Sequence, residues 1–156
     1  MSATGLDVFD KTLQTTNIWL NEICDVLGPD KQVAWKVLST VLHKLRDRLP
    51  IELSAHFAAQ LPLLIRGVYF DQYEPGKQPT ACNTAEDFTA EVAEWLTDMR
   101  PVDPREAIAA VFLVLSNHVS EGQVTKVKHA LPKGIRQAWE SLDARATQAA
   151  VESAIG

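Results

Sequence analysis

The sequence is poor in the residues that perform obvious chemistry. Its 156 residues hold two cysteines, Cys24 and Cys82, which form neither a disulfide framework nor a metal motif. Cys24 falls in an apolar stripe and reads as a small core residue. Cys82 lies in "PTACNT", with no neighbouring base to lower its thiol pKa. The histidines His43, His56, His118 and His129 show no HExxH or other metal spacing. Serine and cysteine nucleophile motifs are absent. The carboxylates Glu86, Asp87, Glu91, Glu94 and Asp98 lack the Glu-x-x-His partners of di-iron bundles, so they read as a solvated helix face. No catalytic residue, metal or cofactor is therefore expected. A basic surplus is missing too. A net charge of -5 and a pI near 5.3 argue against general nucleic-acid or anionic-membrane binding. No apolar run approaches the ~20 residues that span a bilayer. The opening "MSATGLDVFDK" lacks a basic segment followed by an apolar core. The expectation is a cytoplasmic protein with no membrane contact.

Helical periodicity is what the chain does have. Leu6, Phe9, Leu13, Thr16, Leu20, Ile23 and Leu27 alternate spacings of three and four, and Gly28-Pro29 ends the pattern. From about Asp30 to Leu49, Ala34, Leu38, Val41, Leu42, Leu45 and Leu49 share one face, and Pro50 follows. Leu61-Pro62 and Leu131-Pro132 read as corners, because proline suits the first turn of a new helix and disfavours helix before it. Residues 71–84, "DQYEPGKQPTACNT", carry the densest proline and glycine punctuation and predict a linker. Thr84 with Asp87, Asp103-Pro104 with Glu106, and "SEGQ" at 120–123 predict helix starts. Phe88, Val92, Trp95 or Leu96, and Met99 make the next apolar face; Ile108, Val111, Phe112, Leu115 and Val119 make another. No alternating window competes as a strand. The prediction is all-α.

Sliding the chain by 70 residues superposes 41–69 on 111–139 without a gap. Six of these 29 positions are identical: Val41/Val111, Leu45/Leu115, Leu61/Leu131, Pro62/Pro132, Ile65/Ile135 and Arg66/Arg136. Apolar exchanges fall between them, such as Leu42/Phe112 and Tyr69/Trp139. A unit with one apolar face cannot bury it alone, so two copies close a core together. The expectation is one compact domain over 1–156 with about eight helices in two pseudo-symmetric four-helix repeats. Repeat one spans about 6–70, the linker 71–84, repeat two about 85–140, and a helical tail about 141–156.

The segments "VLHKLRDRLPIELSAHFAAQLPLLIRGVYFDQYEPGKQP" and "AVFLVLSNHVSEGQVTKVKHALPKGIRQAW" closely resemble the bacterial family catalogued as domain of unknown function 2267. The resemblance covers about residues 8–140. It implies a small duplicated helical fold and a bacterial origin, and it supplies no activity and no site residues. Tyr73 departs from the tryptophan expected there, and the tail after about Ser141 lies beyond the resemblance.

Six residues stand out as binding candidates. Arg66 and Arg136 each follow a corner proline by four residues. Each guanidinium either fixes a helix corner, paired to a carboxylate or to helix-end carbonyls, or binds an anion between the halves. Tyr69, Phe70 and Tyr73 precede the linker, with Trp139 at the equivalent of Tyr69. They either plug the linker onto the bundle or line a pocket or interface. Lys126, Lys128, Lys133 and Arg136 form an acid-free stretch from Gln123 to Ala138 that is either a solvated face or a basic edge. The leading expectation is a non-catalytic module acting by protein–protein association, self-association included. The alternative is a small-ligand or anion-binding protein using the arginine and aromatic cluster.

Overall fold

Caps and prolines divide the chain into helices much as these signals predict. The computed structural model describes residues 3–79 and 84–155. They form α1 (Asp7–Leu27), α2 (Lys31–Arg46), α3 (Ile51–Ala58), α4 (Leu63–Phe70), α5 (Ala85–Trp95), α6 (Pro104–His118), α7 (Glu121–Ala130) and α8 (Lys133–Ile155), with a 3-10 turn at Pro75–Lys77 and no strand among the described residues. The all-α expectation holds. Side chains accept first-turn amides at four starts: Asp30 from Gln32 and Val33, Thr84 from Asp87, Asp103 from Arg105, and Ser120 from Gln123. Each cap satisfies donors that the helix itself cannot, worth about 1 kcal/mol. Pro62 and Pro132 sit one residue earlier than the first helical position, and their carbonyls accept the amides of Arg66 and Arg136. Gly28 ends α1 with a φ of 107°, which glycine adopts without a Cβ penalty. A side chain there would also meet the Arg100 guanidinium at 3.3 Å.

Helices α2 and α6 touch each other and form the centre. α1 packs on both, α5 packs on both, α4 lies on α2, and α8 lies on α6; the short helices α3 and α7 meet each other. Val37, Val41, Leu42 and Leu45 of α2 are buried with Ala107, Val111, Phe112 and Leu115 of α6. Around them lie Trp19, Ile23, Phe57, Ile65, Tyr69, Val92, Val127 and Trp139. Burying each large apolar side chain contributes about 1.5–3 kcal/mol.

Three details differ from the periodicity. The buried face of α1 is Thr12, Thr16, Trp19, Leu20 and Ile23, while Leu6, Phe9 and Leu13 are exposed. The start of α4 sets this face, because the Leu64 amide donates to Thr12 Oγ1 at 3.2 Å. Leu96, not Trp95, enters the core, and Trp95 stands half in solvent. α2 ends at Arg46, three residues before the expected Leu49, although Leu49 stays buried in the following turn. At the other end of the chain, α8 continues through 144–155 with every side chain exposed, a projection of about 18 Å at 1.5 Å per residue. Among the described residues, no helix is long and apolar enough to cross a membrane.

Candidate functional site

The six residues singled out in the sequence do not converge on one cavity. Arg66 extends back from α4 and clamps the end of α3. Its Nε donates to the Ala58 carbonyl at 3.0 Å, and Nη2 donates to Ala59 and Leu61 at 3.1 and 3.0 Å. Ala58 also accepts the Leu61 amide at 3.0 Å, and carbonyls at a helix end are short of amide donors, so a guanidinium fork is a natural cap for them. Arg136 is half-buried and has no side-chain hydrogen bond or ion pair among the described residues. Tyr69 is buried, and its hydroxyl lies 2.6 Å from Ser54 Oγ. Burial raises its pKa, with the Ser54 hydrogen bond opposing. Its ring meets Phe57 and Phe70 edge-on, and Phe70 meets Tyr73 at 5.9 Å. Phe70 is partly exposed, whereas the Tyr73 hydroxyl is buried without a partner among the described residues. Trp139 stacks on Phe112 at 4.2 Å and donates from Nε1 to Ser116 Oγ at 2.8 Å. Cys82 lies outside the described residues. Lys128 pairs with Asp143 at 2.5 Å, which interrupts the basic edge of α7.

Two arginines in "KLRDRLP" (44–50) do more than those candidates and carried no sequence motif. Arg46 is buried. Its Nη1 donates to the carbonyls of Tyr69 and Asp71, both at 2.8 Å, its Nε donates to Asp47 Oδ1 at 2.9 Å, and its plane covers the Tyr73 ring at 5.1 Å. One side chain thus ties the end of α4 and the start of the linker to α2. Arg48, also buried, pairs with Glu91 of α5 and covers the Phe88 ring. His118, seventy residues later, pairs with Glu22 of α1 and stacks on Trp19 at 5.3 Å. Their signal was position: Arg46 follows Leu42 by four and Arg48 follows Leu45 by three, the spacing of the buried face.

Arg46 also forms one end of a cleft of about 370 Å³ between α2, the turn after α4 and the end of α5. α2 presents Lys36, Ser39, Thr40, His43, Lys44 and Asp47 to it at helical spacing; Asp71 and Gln72 form one wall and Trp95 the other. Gln72 takes a φ of 61°, a left-handed conformation that costs a non-glycine residue about 1 kcal/mol. His43 Nε2 lies 2.6 Å from the Val68 carbonyl. A carbonyl only accepts, so Nε2 carries the proton and Nδ1 remains the basic nitrogen. Burial lowers the His43 pKa, and the hydrogen bond to Val68 opposes the shift. Burial likewise lowers the Lys44 pKa, with Asp47 opposing. The Lys44 ammonium rests over the Trp95 ring at 4.9 Å and has no carboxylate partner among the described residues. Two further hollows are larger: one of about 520 Å³ between α5, α6 and α8, mostly apolar with Ile108, Ala109, Phe112 and Leu142 in its lining, and a polar one of about 440 Å³ lined by Asn117, Glu121, Lys128 and Asp143.

Among the described residues, no group of three or more histidine, cysteine, aspartate or glutamate side chains is arranged to hold a metal ion. The geometry defines a helical bundle with a polar cleft beside its aromatic-pinned linker. The chain belongs to the family described as uncharacterized conserved protein (DUF2267), whose family model matches residues 16–138. No curated protein matches it.

Proposed function

We propose that this protein is a non-catalytic cytoplasmic association module that binds a second copy of itself through α1 and α4. One observation carries the reading. Leu6, Val8, Phe9 and Leu13 at the start of α1 are exposed, as are Leu63 and Leu64 of α4; Val8 and Leu63 line one hollow, and the Leu64–Thr12 hydrogen bond joins the two helices there. An apolar patch spread over two adjoining helices is unusual on a monomer and typical of an interface. A hollow of about 330 Å³ opens within it, walled by Val8 and Leu63 with Lys11 and Arg66 among its lining. The second copy offers a matching element. The projecting end of α8 exposes Val151 and Ile155 with Glu152 between them, apolar groups for the hollow and a carboxylate for Lys11 and Arg66. Leu13→Glu with Leu64→Glu tests the proposal by sedimentation. The wild type should be dimeric at micromolar concentration and the double variant monomeric with unchanged helical circular dichroism. A wild type that stays monomeric at every concentration would sink it.

We also infer that the chain is an internal duplication of a four-helix unit. Several exchanges support this. Arg48 with Phe88 and Glu91 mirrors His118 with Trp19 and Glu22, and Tyr69 with Arg46 mirrors Trp139 with Ser116. α1 on α6 mirrors α5 on α2. In this reading, repeat one is about 6–70 and repeat two about 85–140. Separate expression of 1–79 and 84–156 should yield two unfolded fragments that become helical on mixing; a fragment folded alone would contradict a shared core.

A further inference from the structure

We propose that the polar cleft of α2 is a binding site for a small hydroxylated organic anion, with Lys36, Thr40 and Lys44 receiving the anionic group and Asp71 and Gln72 facing its hydroxyls. The cleft's volume of about 370 Å³ lies in the range of small-molecule sites, roughly 300–1,000 Å³. Lys36, Thr40 and Lys44 are spaced by four residues, so their side chains fall on one face of α2 over about 12 Å.

Each of the three is short of a partner. The Lys44 ammonium rests on the Trp95 ring, with Asp47 and Glu94 acting on it only from beyond ion-pair distance. Lys36 reaches Asp98 at 3.9 Å, and that carboxylate is largely in solvent, so the contact is weak and easily exchanged. Thr40 is only 6% exposed, and its hydroxyl lines the cleft without a hydrogen-bond partner among the described residues. A half-buried ammonium is costly unless something satisfies it. Of the nearby carboxylates, Asp47 is held by Arg46 at 2.9 Å, and neither Asp71 nor Glu94 forms an ion pair with Lys44 among the described residues. The lining therefore sets three cations (Lys36, Lys44 and Arg46) against two carboxylates (Asp47 and Asp71), with His43 available as a neutral acceptor at Nδ1. The lining alone carries one positive charge in excess, with Asp98 and Glu94 just outside it beside Lys36 and Lys44, and its acceptors suit hydroxyl groups.

The two central helices differ at these polar groups. Seventy residues on, in the equally central α6, Ala110 stands for Thr40, Leu113 for His43 and Val114 for Lys44. On α6 this face is covered, with Ala110 and Val114 buried, whereas on α2 His43 holds the Val68 carbonyl and Thr40 and Lys44 line the cleft. Lowered Lys44 and His43 basicity by burial fits a site where charge is held for a ligand.

The test is calorimetric titration of the full chain with three compounds of one carbon skeleton: glycerate, glycerol 3-phosphate and neutral glycerol. At least one of the two anions should bind saturably with a dissociation constant below about 1 mM, and glycerol should not bind. The two anions separate a carboxylate site from a phosphate site. Lys44→Met and Lys36→Met should each weaken binding about tenfold, and Thr40→Val several-fold, with circular dichroism confirming the fold. Binding of neither anion, equal binding of glycerol, or wild-type affinity in a Lys36→Met/Lys44→Met double variant would overturn the proposal.

Discussion

Helices α2 and α6 occupy the same kind of position, touching each other and each covered by α1 and α5, yet the faces that flank their shared core differ. Over the same offset, α2 writes Lys36, Ser39, Thr40, His43, Lys44 and Arg46, whereas α6 writes Glu106, Ala109, Ala110, Leu113, Val114 and Ser116. Their inner faces agree: Val41 and Leu45 match Val111 and Leu115, and all four are fully buried. The lesson is that the core face is constrained by packing and the flanking face is not. Where the flank is polar and half-buried at a desolvation cost, packing does not explain it.

The comparison can be broken most severely at Arg46. Replacing it with alanine orphans the Tyr69 and Asp71 carbonyls and frees Asp47, and should lower stability by about 3 kcal/mol. Its counterpart Ser116→Ala removes one hydrogen bond to Trp139 and should cost about 1 kcal/mol. Urea unfolding of both variants measures the difference, and equal losses would erase the asymmetry. The two latches come next. Arg48→Ala leaves the Phe88 and Glu91 contacts unmade at a buried position and should cost about 3 kcal/mol. His118→Ala removes a more exposed pair and a stacked ring and should cost about 1 kcal/mol.

The pH dependence of stability sharpens the contrast at His43. Burial places its folded pKa below the ordinary value of about 6.5, so the unfolded chain binds more protons as pH falls. Its contribution is then fully present above about 6.5 and is lost as pH drops toward the folded value. His43→Leu, the residue of α6, should flatten that acid limb in unfolding curves taken from pH 7.5 to 5. The smallest effects are expected from Lys44→Met and Thr40→Ala. Each should change stability by less than about 0.5 kcal/mol, or raise it slightly, because each removes a poorly satisfied polar group. A large loss in either would mean the polar flank of α2 is structural after all.

The family match sharpens a second contrast. The cleft, from Lys36 to Trp95, lies wholly inside the matched residues 16–138. The exposed Leu6, Val8, Phe9 and Leu13 precede them, and Val151 and Ile155 follow them. The proposed self-association surface therefore draws on parts of this chain outside the family's shared stretch, and the proposed ligand site on parts within it.

Most of the helical layout was legible because its signals are local. Asp30, Thr84, Asp103 and Ser120 each act within three residues, and Pro62 and Pro132 impose their corners on their own backbone. Arg66 was legible as a residue of interest, and one of its two weighed roles, holding helix-end carbonyls, matches its geometry. The cleft was not legible. Lys36, Thr40 and Lys44 look in sequence like any polar helix face, and only the approach of Trp95 and Gln72 from distant segments makes them walls. Arg46 and Arg48 carried only a positional hint, the spacing of the buried face, because partners that define their roles lie 23 to 43 residues away.

By itself, then, the sequence determined where helices begin and end, which faces of α2 and α6 are apolar, and that the two halves share a pattern, since each follows from interactions within a few residues or from periodicity. Tertiary structure alone decided which polar residues are half-buried, which apolar ones on α1 stay in solvent, and where the cleft opens. Burial is a property of what packs against a surface, and the covering helix is specified elsewhere in the chain.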